Sequence, residues 1–256
     1  MIMTNFQPAI DYDWLRSQSA DDYVASLIHR GKRKLFGLLE HPSLPPNKSV
    51  DTVRYKIFVC GKANVGKSST VAKLAGGKVR KSVSETPGIE TTVVHWPVRL
   101  IATGQVVFFC LHFWDVGDNA VKKFDHILPA CKEEADCILF MFSFTDRTSF
   151  SEVHHYMNRM IDGIERQPAQ VIVGTKADQY IHSDISDAEI QDLSESRNAA
   201  VLRIKNFPFI SGEGYESIKD VAPFLNKLCD ILWTRDQRMS NMQTASQLPK
   251  QSDVLV

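Results

Sequence analysis

Cys60-Gly61-Lys62-Ala63-Asn64-Val65-Gly66-Lys67-Ser68-Ser69 fits the pattern G-x-x-x-x-G-K-[ST] at every fixed position. The pattern has a mechanism. Glycines let backbone N–H groups curl around phosphate oxygens, the lysine reaches the terminal phosphates, and the hydroxyl after it ligates a magnesium ion. The flanks agree, because Tyr55-Lys56-Ile57-Phe58-Val59-Cys60 reads as a strand, and Ser68 to Ala75 as a helix closed by Gly76-Gly77. Gly61, Asn64, Val65, Gly66, Lys67, Ser68 and Ser69 are therefore the candidate phosphate-binding residues.

Outward from this loop, the bulk composition narrows the class. A chain of 256 residues, 43% hydrophobic and 23% charged, can bury one good core with extensions. Lys+Arg and Asp+Glu are both 30, so no global field draws the protein onto nucleic acid or an anionic membrane. The five cysteines contain no C-x-x-C pair, and several sit in apolar runs, as buried thiols of a reducing compartment do. There is no apolar segment of membrane-spanning length, no secretory signal, no myristoylation glycine and no C-terminal prenylation cysteine. The expectation is a cytoplasmic protein that meets membranes only through partners. The histidines show no zinc-ligand spacing, and no Ser/His/Asp arrangement stands out.

Beyond the loop, Lys78 to Ile89 is too polar for a core and lies where a segment must cover a bound nucleotide. Within it, Thr86 is placed to give a second hydroxyl to Mg²⁺ and a backbone group to the γ-phosphate; a plain turn residue is the alternative. Thr91 to Leu100 and Gln105 to Trp114 read as an antiparallel hairpin. The second strand is almost wholly apolar and ends at Asp115, at the carboxyl tip where α/β sheets hold ligands. Asp115 is assigned to magnesium through water, with a helix cap as the competing role.

Cys137 to Phe144 is another buried strand, followed by an apparent capping box at Ser149-Phe150-Ser151-Glu152. Val171-Ile172-Val173-Gly174 runs into Thr175-Lys176-Ala177-Asp178. A carboxylate there accepts two hydrogen bonds from guanine N1–H and its exocyclic amine, which adenine lacks, and the Lys176 stem covers the base. A second capping box, Ser186 to Glu189, opens a helix ending near Ser196; Ala199 to Ile204 is a last strand. Ile218, Val221, Leu225, Leu228 and Leu232 form the face of a final helix in which Pro223 is expected in the first turn. From Thr234 the composition turns polar and reads as a flexible tail. At the other end, a helix is expected from Ser19, with apolar positions from Tyr23 to Leu39 and a stop at Pro42, Pro45 and Pro46. Its cluster Arg30-Lys32-Arg33-Lys34 is either a solvated face or a contact for acidic lipid or a partner.

In this order and at these distances, the motifs resemble the small GTPases of the Ras superfamily over about residues 55 to 234. Gly61-Lys62-Ala63-Asn64-Val65-Gly66-Lys67-Ser68-Ser69 is similar to the phosphate loop, and Thr86-Pro87-Gly88 to the Rab-type switch I threonine motif. Phe113-Trp114-Asp115 resembles the strand entering switch II, and Thr175 to Asp178 the base-specificity motif. Thr145 to Phe150 is similar to the Rab segment after the fourth strand, and Arg203-Ile204-Lys205 holds the place of the last guanine-contacting loop. The resemblance is greatest to the Rem- and Rab-like small GTPases of the ciliogenesis and planar cell polarity effector complex. It rests on Tyr55 to Val59, Val71 to Gly76, Lys122-Lys123-Phe124-Asp125-His126, Ser143 to Arg147, Asp178-Gln179-Tyr180 and Leu35 to Glu40.

The resemblance implies an α/β fold: a phosphate-loop G domain with a mostly parallel six-stranded sheet, one antiparallel edge strand and helices on both faces. The expected organisation is an N-terminal extension over 1–54, the G domain over 55–234 and a tail over 235–256. GTP or GDP with Mg²⁺ is the implied ligand, with Ser68, Thr86 and Asp115 arranging the metal. Thr175, Lys176, Asp178, Arg203, Ile204 and Lys205 would hold the base. Implied too are effector partners, Fuzzy and Inturned of that complex, and a role in cilium assembly at the basal body, in contact with the cytoskeleton, protein transport and exocytosis. The chain departs from the family's D-x-x-G-Q at Asp115-Val116-Gly117-Asp118-Asn119. Asp118 replaces the glycine that meets the γ-phosphate, and Asn119 the glutamine that orients the attacking water, leaving Thr86 as the other candidate for water positioning. Ala63 crowds the phosphate loop, and Val79 stands where an aromatic often covers the guanine. The expectation is a GTP-binding switch with weak intrinsic hydrolysis, the alternative a nucleotide-stabilised scaffold that does not cycle.

Overall fold

The computed structural model describes residues 7–27, 50–77, 85–124, 126–164, 166–206 and 214–247. The basic cluster at Arg30 to Lys34, the prolines at 42, 45 and 46, the loop from Lys78 to Ser84 with Val79, and residues 248–256 lie outside them. The first strand, β1 (Asp51–Cys60), begins four residues ahead of the expected Tyr55. Its alternation sets Tyr55, Ile57 and Val59 against one core cluster and Phe58 and Cys60 against the other. The phosphate loop follows, then α2 (Lys67–Leu74), β2 (Ile89–Arg99) and β3 (Val106–Val116). After two short helices, α3 (Asp118–Lys123) and α4 (Ile127–Lys132), come β4 (Cys137–Ser143), α5 (Arg147–Ser151), α6 (Val153–Ile161), β5 (Ala169–Thr175), α7 (Asp187–Arg197) and β6 (Ala200–Arg203).

The six strands lie in the order β2-β3-β1-β4-β5-β6, with β2 antiparallel to β3 and the other pairings parallel. This is the expected mostly parallel sheet with one antiparallel edge strand. On one face α2 and the last helix, α8 (Gly214–Gln247), bury Val71, Leu74, Val221, Leu225, Leu228 and Leu232. On the other, α3 to α7 cover Phe58, Ile138, Phe140 and Phe142 with Val121, Met157, Met160, Ile190 and Leu193. All five cysteines are buried free thiols. No helix among the described residues is long and apolar enough to cross a membrane.

Three local expectations are corrected. Pro223 is not in the first turn of α8, which starts at Gly214; it lies inside the helix, where burial of Val221, Phe224 and Leu225 offsets the missing N–H. The same helix continues to Gln247 through residues read as a tail, because its polar side chains find partners on the core. Asp236 accepts from the Tyr55 hydroxyl at 2.8 Å, and Arg235 donates to the Gln167 carbonyl at 3.2 Å. Third, Ser149 is not a helix cap. The cap of α5 is Asp146, which accepts from the Ser149 N–H, while the Ser149 hydroxyl donates to the Asp146 carbonyl at 2.6 Å and accepts from the Ser143 N–H at 3.0 Å. The box at Ser186 and Glu189 forms as expected, with both reciprocal bonds present.

Ahead of β1, the described part of the N-terminal helix is α1 (Gln18–Leu27). The residues before it hold the chain to the sheet in a way periodicity did not signal. Ile10, 0% exposed, bridges to Leu100 beyond the end of β2. Asp230 of α8 accepts from the Ala9 N–H at 2.8 Å and the Tyr12 hydroxyl at 3.0 Å. Tyr23 packs its ring between Trp14, at 5.8 Å, and Phe108 of β3, at 6.5 Å.

Candidate functional site

The phosphate loop is a strained turn between β1 and α2 that only certain residues tolerate. Gly61 has φ +146°, and a Cβ there would lie 2.3 Å from the Met141 carbonyl oxygen. Gly66 (φ +97°) and Asn64 (φ 64°) also take left-handed conformations, and Gly66 caps α2, whose N-terminal amides start at Lys67 and Ser68. Lys67 is buried and donates to the Gly61 carbonyl at 2.8 Å and the Lys62 carbonyl at 3.0 Å, folding its ammonium back over the loop. Burial lowers its pKa, opposed by the charges of Asp115 and Asp118.

The three residues assigned to magnesium come together. Ser68 Oγ and Thr86 Oγ1 are 2.9 Å apart, and Thr86 Oγ1 donates to Asp115 Oδ2 at 3.4 Å. Burial raises the Asp115 pKa, against hydrogen bonding from Ser68 and the charge of Lys67. Asp115 Oδ1 is buried with no hydrogen-bond partner among the described residues. Two hydroxyls and one carboxylate under such a penalty are donors that suit a hard, oxygen-ligated cation, so the residues fit Mg²⁺. Bound there, the cation would supply charge neutralisation at the phosphates. Among the described residues, no group of three or more His, Cys, Asp or Glu side chains could hold a metal ion.

Switch II begins where β3 gives way to α3. The carboxylate of Asp118, 7% exposed, is tied down: Lys122 donates to Oδ2 at 2.7 Å and the Tyr156 hydroxyl to Oδ1 at 2.9 Å. Burial pushes its pKa up, but these two hydrogen bonds prevail and hold it below the usual carboxylate range. Both oxygens are thus engaged by α3 and α6. Asn119 is held instead by Glu85, which accepts its backbone N–H at 2.7 Å and its side-chain amide. Switches I and II also touch by backbone, since the Gly117 N–H donates to the Gly88 carbonyl at 3.1 Å.

At the base motif, Thr175 is fully buried and donates to the Val65 carbonyl and, at 3.1 Å, to the Phe142 carbonyl, so it ties the motif to the phosphate loop. Lys176 takes a left-handed conformation (φ 53°) and donates to Thr145 Oγ1 at 3.1 Å. Asp178 is exposed in the turn that follows. The Ile204 carbonyl accepts from the Ala177 N–H at 3.2 Å, and the Lys205 carbonyl from Lys73 Nζ at 2.6 Å. Arg203 lies over the rings of Tyr180, at 4.9 Å, and Phe144, at 5.4 Å, and pairs with Asp187, so its guanidinium braces the motif from outside. Sequence reasoning missed Glu85 and Asn206. Asn206 Nδ2 donates to Thr70 Oγ1 at 2.8 Å and the Gly66 carbonyl at 3.4 Å, joining the last loop to the phosphate loop. Its place directly after Lys205 is the one signal that pointed to it.

A phosphate loop, two switch segments over it and a carboxylate-bearing motif after the fifth strand define a small G domain, and the chain belongs to the Ras family, whose model matches residues 56–205. Among curated proteins it is similar to Ciliogenesis and planar polarity effector 2 of Xenopus laevis, with 44% identity over 92% of this chain and 96% of that one. The Homo sapiens protein of that name is 43% identical over 88% of this chain and 89% of its own. GTP-binding protein REM 2 of Homo sapiens is 31% identical over 57% of this chain and 39% of its own.

Proposed function

We propose that this chain binds GTP and GDP with Mg²⁺ and works as a molecular switch with slow intrinsic hydrolysis, engaging effector proteins in its GTP state. The observation that carries the reading is the convergence of Ser68, Thr86 and Asp115 near Lys67, with Asp115 Oδ1 buried and without a hydrogen-bond partner among the described residues. Gly61, Gly66 and the amides of Asn64, Val65 and Ser69 hold phosphate, Lys67 neutralises it, and Lys176, Asp178 and the Ile204-Lys205 backbone hold the base. Slow hydrolysis follows from Asn119, a methylene shorter than glutamine, at the position that serves the attacking water.

The names of the similar proteins support a role in cilium assembly and planar polarity. On this reading the partners are planar-polarity effectors, Fuzzy and Inturned, and the site of action is the basal body and its cytoskeleton. Partner binding to protein loaded with GDP or with a non-hydrolysable GTP analogue is the test. Binding at least about tenfold tighter in the GTP-like state is expected, and equal affinity would refute the switch. Equal affinity is the outcome expected of the second reading, a nucleotide-stabilised scaffold, which Asp118 and Asn119 favour. Nucleotide extracted from purified protein separates both readings from an ATP-dependent enzyme.

A further inference from the structure

Glu85 sits next to Thr86, and its carboxylate takes a hydrogen bond from each nitrogen of Asn119: Oε1 accepts the backbone N–H at 2.7 Å and Oε2 accepts an N–H of the side-chain Nδ2. The packing around this pair is tight. A Cβ on Gly117 would lie 2.0 Å from the Thr86 carbonyl oxygen and 3.6 Å from Glu85 Oε1, so switch I passes directly across the start of α3. A side-chain amide that orients an attacking water does so by accepting from the water and donating its N–H toward a phosphoryl oxygen. Nδ2 has two N–H groups, but an amide nitrogen pinned to a carboxylate is not free to swing to that task, and a charge-assisted bond of this kind is about twice as strong as one to a neutral partner.

We propose that Glu85 is a positioning residue that latches Asn119 to switch I and thereby keeps hydrolysis slow, as a second brake beside the shortened side chain. This rests on the guanine-nucleotide reading of the site. It departs from a length-only account in one respect: restoring glutamine at 119 leaves its amide within reach of the same carboxylate, so Asn119→Gln gains little until Glu85 is removed.

The test is single-turnover GTP hydrolysis with Mg²⁺ in wild type, Asn119→Gln, Glu85→Ala and the double variant, with GTP affinity measured in parallel by a fluorescent nucleotide. The double variant is expected to exceed the product of the two single effects by at least about tenfold, since the residues are in contact and their effects couple. A double variant that binds GTP but hydrolyses it no faster than that product, undetectable hydrolysis included, overturns the latch. Amide hydrogen exchange at Asn119 is the second readout, expected to quicken at least about tenfold in Glu85→Ala. Glu85→Gln, which keeps one acceptor but sets an NH₂ against Nδ2, is expected to fall between. Unchanged exchange in both variants overturns the proposal. The exchange comparison needs no nucleotide, so a chain that fails to bind guanine nucleotide would refute the reading of the site while exchange still decides the latch.

Discussion

Gly117→Ala is the substitution that most directly strikes the contact between the switches. Its methyl group would stand 2.0 Å from the Thr86 carbonyl oxygen, where ordinary contact begins near 3.4 Å. The two segments must therefore part by more than about 1 Å, since main chain lies on both sides and no flexible side chain can yield. That separation spans the Gly117–Gly88 bond of 3.1 Å, the Ser68–Thr86 contact of 2.9 Å and the weaker Thr86–Asp115 bond of 3.4 Å. At about 0.5–1.5 kcal/mol for each bond, the loss is roughly 2–3 kcal/mol of switch docking. On the proposed reading it falls on a ligand that needs Thr86, so affinity for a non-hydrolysable GTP analogue with Mg²⁺ is expected to drop by about 30- to 150-fold. GDP, held by the phosphate loop, is expected to lose less than about fivefold. Titration with fluorescent nucleotides reads both values. Gly88→Ala is the control, because a Cβ there has nothing within 4 Å. An unchanged ratio of the two affinities in Gly117→Ala, or an equal change in Gly88→Ala, would refute the reasoning.

On the proposed reading, Asp178→Ala removes the acceptor of two hydrogen bonds from guanine and is expected to weaken GTP binding by at least about tenfold with the melting temperature of the nucleotide-free protein unchanged, measured by titration and calorimetry. Asn226→Leu takes the acceptor at 2.8 Å from the buried Trp96 indole N–H, and the donor to the Tyr12 carbonyl. The expected cost is about 2–3 kcal/mol, and a thermal melt should fall by roughly 5–10 °C. Glu189, bonded by Arg147 and then by the Ser186 N–H and hydroxyl, has its carboxyl held at about 2, below its ordinary 4.5. A depressed acid favours the folded state above pH 4.5, and that contribution fades as pH falls toward 2; chemical denaturation across this window should show a shallower loss in Glu189→Gln.

Much of the fold was legible because the signals are local. The alternation of Tyr55 to Cys60, the apolar runs at Cys137 and Val171 and the capping box at Ser186 each specify structure from near neighbours, and each formed within a few residues of its expected bounds. The readings that failed depended on distant partners. Ser149 has the spacing of a cap, but the carboxylate of Asp146 takes that role and frees the hydroxyl to hold β4. The polar stretch after Trp233 has no apolar stripe to announce a helix, yet Tyr55 and Gln167, far away in sequence, receive it. Pro223 inside α8 is tolerated because the faces beside it are buried.

The candidate site divides along the same line. The sequence by itself determined the chemistry: glycines at two of the three positions where the loop turns left-handed, a lysine opening the helix after them, hydroxyls and carboxylates at the spacing expected of a metal-assisted phosphate site, and the oddity of Asp118-Asn119. What those side chains do to one another was decided only by the tertiary structure. It alone sends the Asp118 carboxylate to Lys122 and Tyr156, leaves one oxygen of Asp115 without a partner among the described residues, and sets Glu85 on Asn119. The reason is physical: a phosphate loop is specified by residues a few bonds apart, whereas the poise of a carboxylate depends on charges and donors delivered by strands and helices that meet only when the sheet has formed.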